Sequence, residues 1–169
     1  MTEFPRFVSF VAVGLGCFDI VRGLVHTVFV GNMGAEIAGL DLTGPTGRDQ
    51  LMLMAAFGSS NFITGAALIL LGLTSRRGAL ILLSVIPLGL LAAGVGMHRW
   101  GTELVGQGEF PGVKIMRVYV IVCVFTVAAA LLTRWRAQAR ATGERRSSIG
   151  NGRAPDHAEA PARFVPPSP

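Results

Sequence analysis

The chain has 169 residues, of which 51% are hydrophobic and only 15% are charged, and its mean hydropathy is +0.55. An ordinary soluble domain carries charge on roughly a quarter of its residues. Residues 134–169 contribute a net charge of +4, and the first 133 residues contribute only +1. These values exclude a soluble globular enzyme, a disordered chain and a disulfide scaffold, and they indicate a small integral membrane protein with a basic tail.

Four apolar stretches are long enough, with their flanks, to cross the hydrocarbon core as helices of roughly 20 residues. They predict helices at about residues 7–30, 50–73, 77–98 and 114–135. Backbone groups in lipid must be paired within their own segment, so helices are expected rather than strands. No small-x-small cleavage site follows the first stretch, so we expect it to be retained. The prediction is an all-α fold, a four-helix transmembrane bundle formed by residues 1–136.

Charged residues in the loops predict the orientation of this bundle. The loops at 31–50 and 99–114 are rich in glycine and carry few basic residues. The basic residues gather on the other side, at Arg6, Arg76, Arg77, Arg134, Arg136, Arg140, Arg145 and Arg146. By the positive-inside rule we expect both termini in the cytoplasm and a multi-pass protein of the inner (plasma) membrane.

The tail at residues 137–169 differs in composition from the rest of the chain. It holds five prolines and almost no large apolar residue before Phe164, so we predict a disordered cytoplasmic segment. Its arginines are expected to contact anionic lipid headgroups. Because aromatic residues are not interleaved with the arginines, no nucleic-acid partner is expected.

Small residues recur along the predicted helices at spacings that allow close packing in lipid. The second helix has Gly58, Gly65 and Gly72 at seven-residue intervals, and the first has Gly16 and Gly23. Packing within the bundle is the main interpretation of this pattern. A homo-oligomer or a larger membrane complex is also among the expected partners, and the glycine stripe of the second helix is the candidate interface between copies of the chain.

The first predicted helix carries three ionisable residues inside its apolar stretch, Asp19, Arg22 and His26. Their spacings of three and seven residues place them on one stripe of the helix. A lone Asp or Arg at the centre of a membrane helix costs about 2.5–3.5 kcal/mol. We therefore predict an ion pair between Asp19 and Arg22 that faces the interior of the bundle.

Polar residues on the other helices could meet this stripe. Asn61 is central in the second helix, and Arg117 and Tyr119 fall in the outer half of the fourth. With the three residues of the stripe, they predict a polar intramembrane pocket that opens towards the outer face. Two arginines and one aspartate would suit an anionic or hydrogen-bonding headgroup.

Each of these residues also has a purely structural interpretation. The Asp19–Arg22 pair could only fix the register of the helices, and Asn61 could make an ordinary interhelical hydrogen bond. Arg117 and Tyr119 could anchor the fourth helix at the membrane interface. His26 and His98 together could ligate haem, so a haem or a quinone is considered as a cofactor.

The size, the topology with both termini inside, and a first helix with an internal Arg22-Gly23 resemble the DoxX-like proteins, small bacterial membrane proteins of four helices. The resemblance covers residues 7–135. Some members of that group resemble subunits of quinone-linked oxidoreductases, and this similarity implies the same fold.

Three functions remain open at this stage. The sequence contains no phosphate-binding loop, no His-Glu-x-x-His and no Gly-x-Ser-x-Gly, so a non-catalytic role is favoured over an enzyme. The leading hypothesis is an accessory or binding component whose pocket takes a lipid-soluble or anionic ligand, such as a quinone or a lipid headgroup. The alternatives are a small oligomeric transporter or proton-coupled carrier that uses Asp19, and a purely structural membrane partner.

Overall fold

The computed structural model describes residues 4–31, 36, 40, 42–100 and 111–150. The regular structure of these residues is helical throughout. In chain order the helices are α1 Phe7–Thr27, α2 Gly47–Thr74, α3 Arg76–Trp100 and α4 Pro111–Gly150. The all-α prediction is confirmed for the described part of the chain.

Each of the four helices found in the described residues is long and apolar enough to cross a membrane. Large apolar side chains cover their outer surface, with Phe10 76%, Leu88 64% and Phe125 74% exposed. A soluble protein rarely exposes apolar residues so widely, whereas lipid is a favourable environment for them. The fold is therefore that of a membrane protein, as predicted.

Helices α1 and α2 pack at very short range through their glycines. A Cβ atom built on Gly16 would lie 2.7 Å from the carbonyl oxygen of Gly65, and one built on Gly65 would lie 2.7 Å from that of Gly16. Gly23 and Gly58 face each other in the same way, at 3.1 Å. Since the paired numbers run in opposite directions, the two helices are antiparallel.

This packing settles one alternative for the glycine stripe. Gly72, its third member, faces Ala12 and Val13 of α1. The stripe is thus covered by α1 of the same chain, and its proposed use as an interface between copies is wrong. Only glycine, which has no Cβ atom, leaves room here for the backbone carbonyl oxygens of the facing helix.

The buried core draws side chains from all of the described helices. Leu68 of α2, Leu83 of α3 and Cys123 of α4 are fully buried, together with Val8 of α1. Tyr119 belongs to the same cluster and is 4% exposed. The side chain of Tyr119, including its hydroxyl group, therefore lies inside the bundle.

Phe4, just before α1, joins the ends of two other helices. Its carbonyl oxygen accepts a hydrogen bond of 3.2 Å from Arg76 at the start of α3. The guanidinium of Arg134 lies over its ring, 4.9 Å from the centroid. The start of α1, the start of α3 and the part of α4 around Arg134 therefore lie at the same end of the bundle.

The chain divides into two compact units, residues 1–134 and 135–169. In the second unit the described residues, up to 150, are helical as part of α4. The prediction of disorder from residue 137 is therefore wrong for 137–150, and 151–169 lie outside the described residues. This stretch is rich in alanine and arginine, which are strong helix formers, and extending an existing helix avoids the cost of nucleation.

Candidate functional site

The ionisable stripe of α1 faces the interior of the bundle. Asp19 is 2% exposed, and its Oδ1 atom lies 3.9 Å from Nη2 of Arg22. The side chain of Arg22 is 24% exposed, so the cation is nearer to the surface than the anion. The predicted ion pair is present, and one turn of helix is sufficient to form it.

Asp19 also connects α1 to α4. The hydroxyl of Tyr119 donates a hydrogen bond of 2.8 Å to Oδ2 of Asp19. One carboxylate oxygen therefore serves the tyrosine and the other faces the arginine. A buried carboxylate needs such partners because burial without them is very costly.

Arg22 is the centre of the site, and its nitrogens have unequal partners. Nη2 donates to Oδ1 of Asn61 on α2, and Nη1 donates to the sulfur of Met116 on α4 at 2.9 Å. Its Nε atom is buried and has no hydrogen-bond partner among the residues that the structure describes. The guanidinium lies 6.0 Å from the centre of the Phe18 ring.

Asn61 links Arg22 to His26. Its amide nitrogen lies 3.1 Å from Nδ1 of His26. Because the amide oxygen accepts from Arg22, the amide nitrogen must donate to the histidine ring. Nδ1 of His26 is then the acceptor, and a proton on the neutral ring is carried by Nε2.

These contacts form one chain of polar groups, which we call the α1 network. It runs through Tyr119, Asp19, Arg22, Asn61 and His26. The sequence predicted all five members, and the structure brings them together. Arg117, the sixth predicted residue, is exposed and lies two residues before Tyr119, about 200° away around α4.

Two contacts of the network were missed by the sequence analysis. Met116 lies three residues before Tyr119, so helical spacing alone could have placed it beside that tyrosine. Phe18 packs beside Tyr119 with ring centroids 5.9 Å apart, and no sequence signal distinguishes it from other apolar residues of α1.

Metal ligation gains no support from the described residues. They contain no group of three or more His, Cys, Asp and Glu side chains placed to hold a metal ion. His98 is exposed in the last turn of α3, whereas Nδ1 of His26 is engaged by Asn61. Haem ligation by these two histidines stays a prediction.

The described contacts are hydrogen bonds centred on a guanidinium, together with one hydroxyl, that of Tyr119, which donates to the Asp19 carboxylate. The guanidinium has N–H groups that lack oxygen partners. Comparisons of the chain with family models, with curated proteins and with solved structures find no match.

Proposed function

We propose that this protein is a non-catalytic binding component of the inner membrane, and that Arg22 holds an oxygen atom of a lipid-soluble ligand. The α1 network would be the polar part of the binding site, and the surrounding apolar surface would accommodate the rest of the ligand. Sites for small molecules typically combine an apolar wall with a few polar groups that fix orientation.

A single observation carries the proposal, namely the incomplete pairing of Arg22. Its carboxylate partner is 3.9 Å away and is shared with Tyr119. One terminal nitrogen has only a sulfur acceptor, and the described residues offer Nε none. Ionisable residues inside membrane helices mark functional sites by default, and a guanidinium short of acceptors supports a binding role in particular.

The orientation and the lipid contacts belong to the same proposal. Phe4, Arg76 and Arg134 meet at one end of the bundle, which supports a common side for the basic residues of the loops. We place that end, and both termini, in the cytoplasm by the positive-inside rule. The exposed Arg136 and Arg140 on α4 would then contact anionic lipids.

Extraction of the purified protein tests the binding role. The wild type, the charge-neutral double variant Asp19→Asn with Arg22→Gln, and the control Arg77→Gln are purified in mild detergent and their lipid extracts are analysed by mass spectrometry. Arg77 is exposed at the start of α3, so the control removes one charge outside the network. We expect a molecule enriched in the wild type and the control and absent from the double variant.

Two results would contradict this function. The first is an equal extract from all three proteins, and the second is a wild-type extract with nothing enriched over bulk lipid. Melting temperatures of the three proteins must be compared alongside, because an unfolded double variant would lose any ligand.

A purely structural role is the second candidate, and it is favoured because the hydrogen bonds of the network join different helices. Tyr119 joins α4 to α1, and Asn61 joins α2 to α1 at two points. Such bonds could serve only to fix the assembly of the helices. In that case the same double variant keeps its cellular phenotype, while Asp19→Asn or Arg22→Gln alone impairs folding. A well-folded double variant without function would contradict the structural role.

A further inference from the structure

Met116 occupies the position at Arg22 where an oxygen acceptor would be expected. Its thioether sulfur accepts the Nη1 hydrogen bond at 2.9 Å. A thioether is a weak acceptor, and a methionine side chain has three rotatable bonds with which to move aside. Met116 is half-buried and packs against the core cluster, so part of its side chain reaches the surface of the bundle beside Arg22. An oxygen atom that arrived from the lipid would be a better partner for the guanidinium.

The charges around Arg22 restrict which oxygen this would be. The carboxylate of Asp19 lies 3.9 Å from Nη2, so the two formal charges of the site cancel. An anionic group at Nη1 would lie close to that carboxylate, and the two negative charges would repel each other in a medium of low dielectric constant. A neutral carbonyl oxygen accepts the same hydrogen bond without this repulsion.

The exposed neighbours of Met116 on α4 are both apolar and basic. Val113 and Ile115 are 41% and 47% exposed, and Lys114 and Arg117 are exposed in the same stretch. The Phe18 ring lies 6.0 Å from the guanidinium. Because the helices themselves are strongly apolar, a ligand that reached Nη1 from the membrane would have an apolar body and a small polar group.

We propose that Met116 is a displaceable cover over Arg22, and that the ligand is a neutral, lipid-soluble carbonyl compound whose oxygen replaces the Met116 sulfur at Nη1. The inference rests on the proposed binding function and adds the chemical class of the ligand. Only a hydrogen bond is exchanged, and no covalent bond is made or broken. Met116 acts as a specificity residue because it competes with the ligand for one donor.

Two probes that carry the same decyl group test the ligand class. Decyl-benzoquinone offers neutral carbonyl oxygens, and decyl phosphate offers an anion. Binding of each to the full-length protein in detergent micelles is measured by isothermal titration calorimetry. We expect the quinone to bind at least about tenfold more tightly than the phosphate, because only the phosphate meets the Asp19 carboxylate with a like charge. Equal or tighter binding of the phosphate would overturn the assignment, and so would a wild type that binds neither probe.

Variants of the cover test the role of Met116. Met116→Ala removes the cover, and Met116→Leu keeps most of its volume but has no acceptor sulfur. Since either change frees Nη1 from a competing hydrogen bond, quinone affinity should rise about fivefold in Met116→Ala and less in Met116→Leu. The control Met52→Ala alters a methionine of α2 that is 66% exposed, and it should leave the affinity unchanged.

The possible results separate this inference from the proposed function. If the double variant Asp19→Asn with Arg22→Gln binds the quinone as well as the wild type does, Arg22 is not the site and the proposed function fails. If that variant loses binding but neither Met116 variant gains affinity, the proposed function stands and the cover is refuted. Melting temperatures identify any variant that has not folded. If Met116→Ala does not fold, the affinity of Met116→Leu is used to test the cover instead.

Discussion

Replacement of Gly16 by alanine probes the contact on which the α1–α2 pair depends. The added Cβ would lie 2.7 Å from the carbonyl oxygen of Gly65 and 2.7 Å from Cγ1 of Ile69. A side-chain methylene can rotate away, but the backbone carbonyl of Gly65 cannot move unless α2 itself shifts. The two helices must therefore separate by several tenths of an ångström along this contact.

A matched control lies two residues earlier. Gly14 is in the same helix and is exposed, and a Cβ built on it meets nothing within 4 Å. Both substitutions gain the same helix propensity, so the difference between their unfolding free energies isolates the packing cost. Overpacking of this kind costs about 1–3 kcal/mol, and we expect Gly16→Ala to be less stable than Gly14→Ala by that amount.

Reversible unfolding in mixed micelles, followed by circular dichroism, measures this difference. Gly65→Ala provides the reciprocal test, because its Cβ would lie 2.7 Å from the carbonyl oxygen of Gly16. Equal stability of Gly16→Ala and Gly14→Ala would show that the helices are not in contact at Gly16, and the register of α1 against α2 would then be wrong.

Three further predictions concern the network, the thiols and the topology. A double-mutant cycle of Tyr119→Phe and Asp19→Asn should give a coupling energy of about 1–2 kcal/mol for unfolding, and a value near zero would refute the buried hydrogen bond. In the folded protein in detergent, a maleimide should label the exposed Cys17 much faster than the buried Cys123, as read by peptide mass spectrometry. Equal rates would contradict the burial of Cys123. Alkaline phosphatase inserted within residues 31–50 should be active in a bacterial host and inactive when fused after residue 150, and the reverse pattern would overturn the proposed orientation.

The membrane-spanning character of the fold could be predicted with little error. Hydropathy is a property of a short window, so residues 51–73 and 78–97 identify spans without knowledge of any partner. The ends of α4 were less predictable. Tail composition indicated disorder from residue 137, whereas local helix propensity and continuity with the span carry the helix to Gly150.

The site was predictable as a set of residues and not as a set of contacts. The sequence was sufficient to identify Asp19, Arg22 and His26 as candidate site residues. A charge inside an apolar helix is energetically costly and must have a partner. Which groups serve as partners depends on the rotation of α4 and α2 about their axes. That rotation turns Tyr119 inwards and leaves Arg117 exposed, although the two residues are only two positions apart.

The sequence alone thus determines that these helices are long and apolar enough to cross a membrane and that α1 carries a polar stripe, since both depend only on the side chains within one segment. The pairing of the helices, in contrast, depends on contacts between distant parts of the chain. Gly16 and Gly65 are far apart along the chain, and only close packing in three dimensions brings their backbones together. The same packing sets Met116 rather than an oxygen atom against Arg22, because shape complementarity between helices, and not the preference of any one side chain, chooses the neighbours.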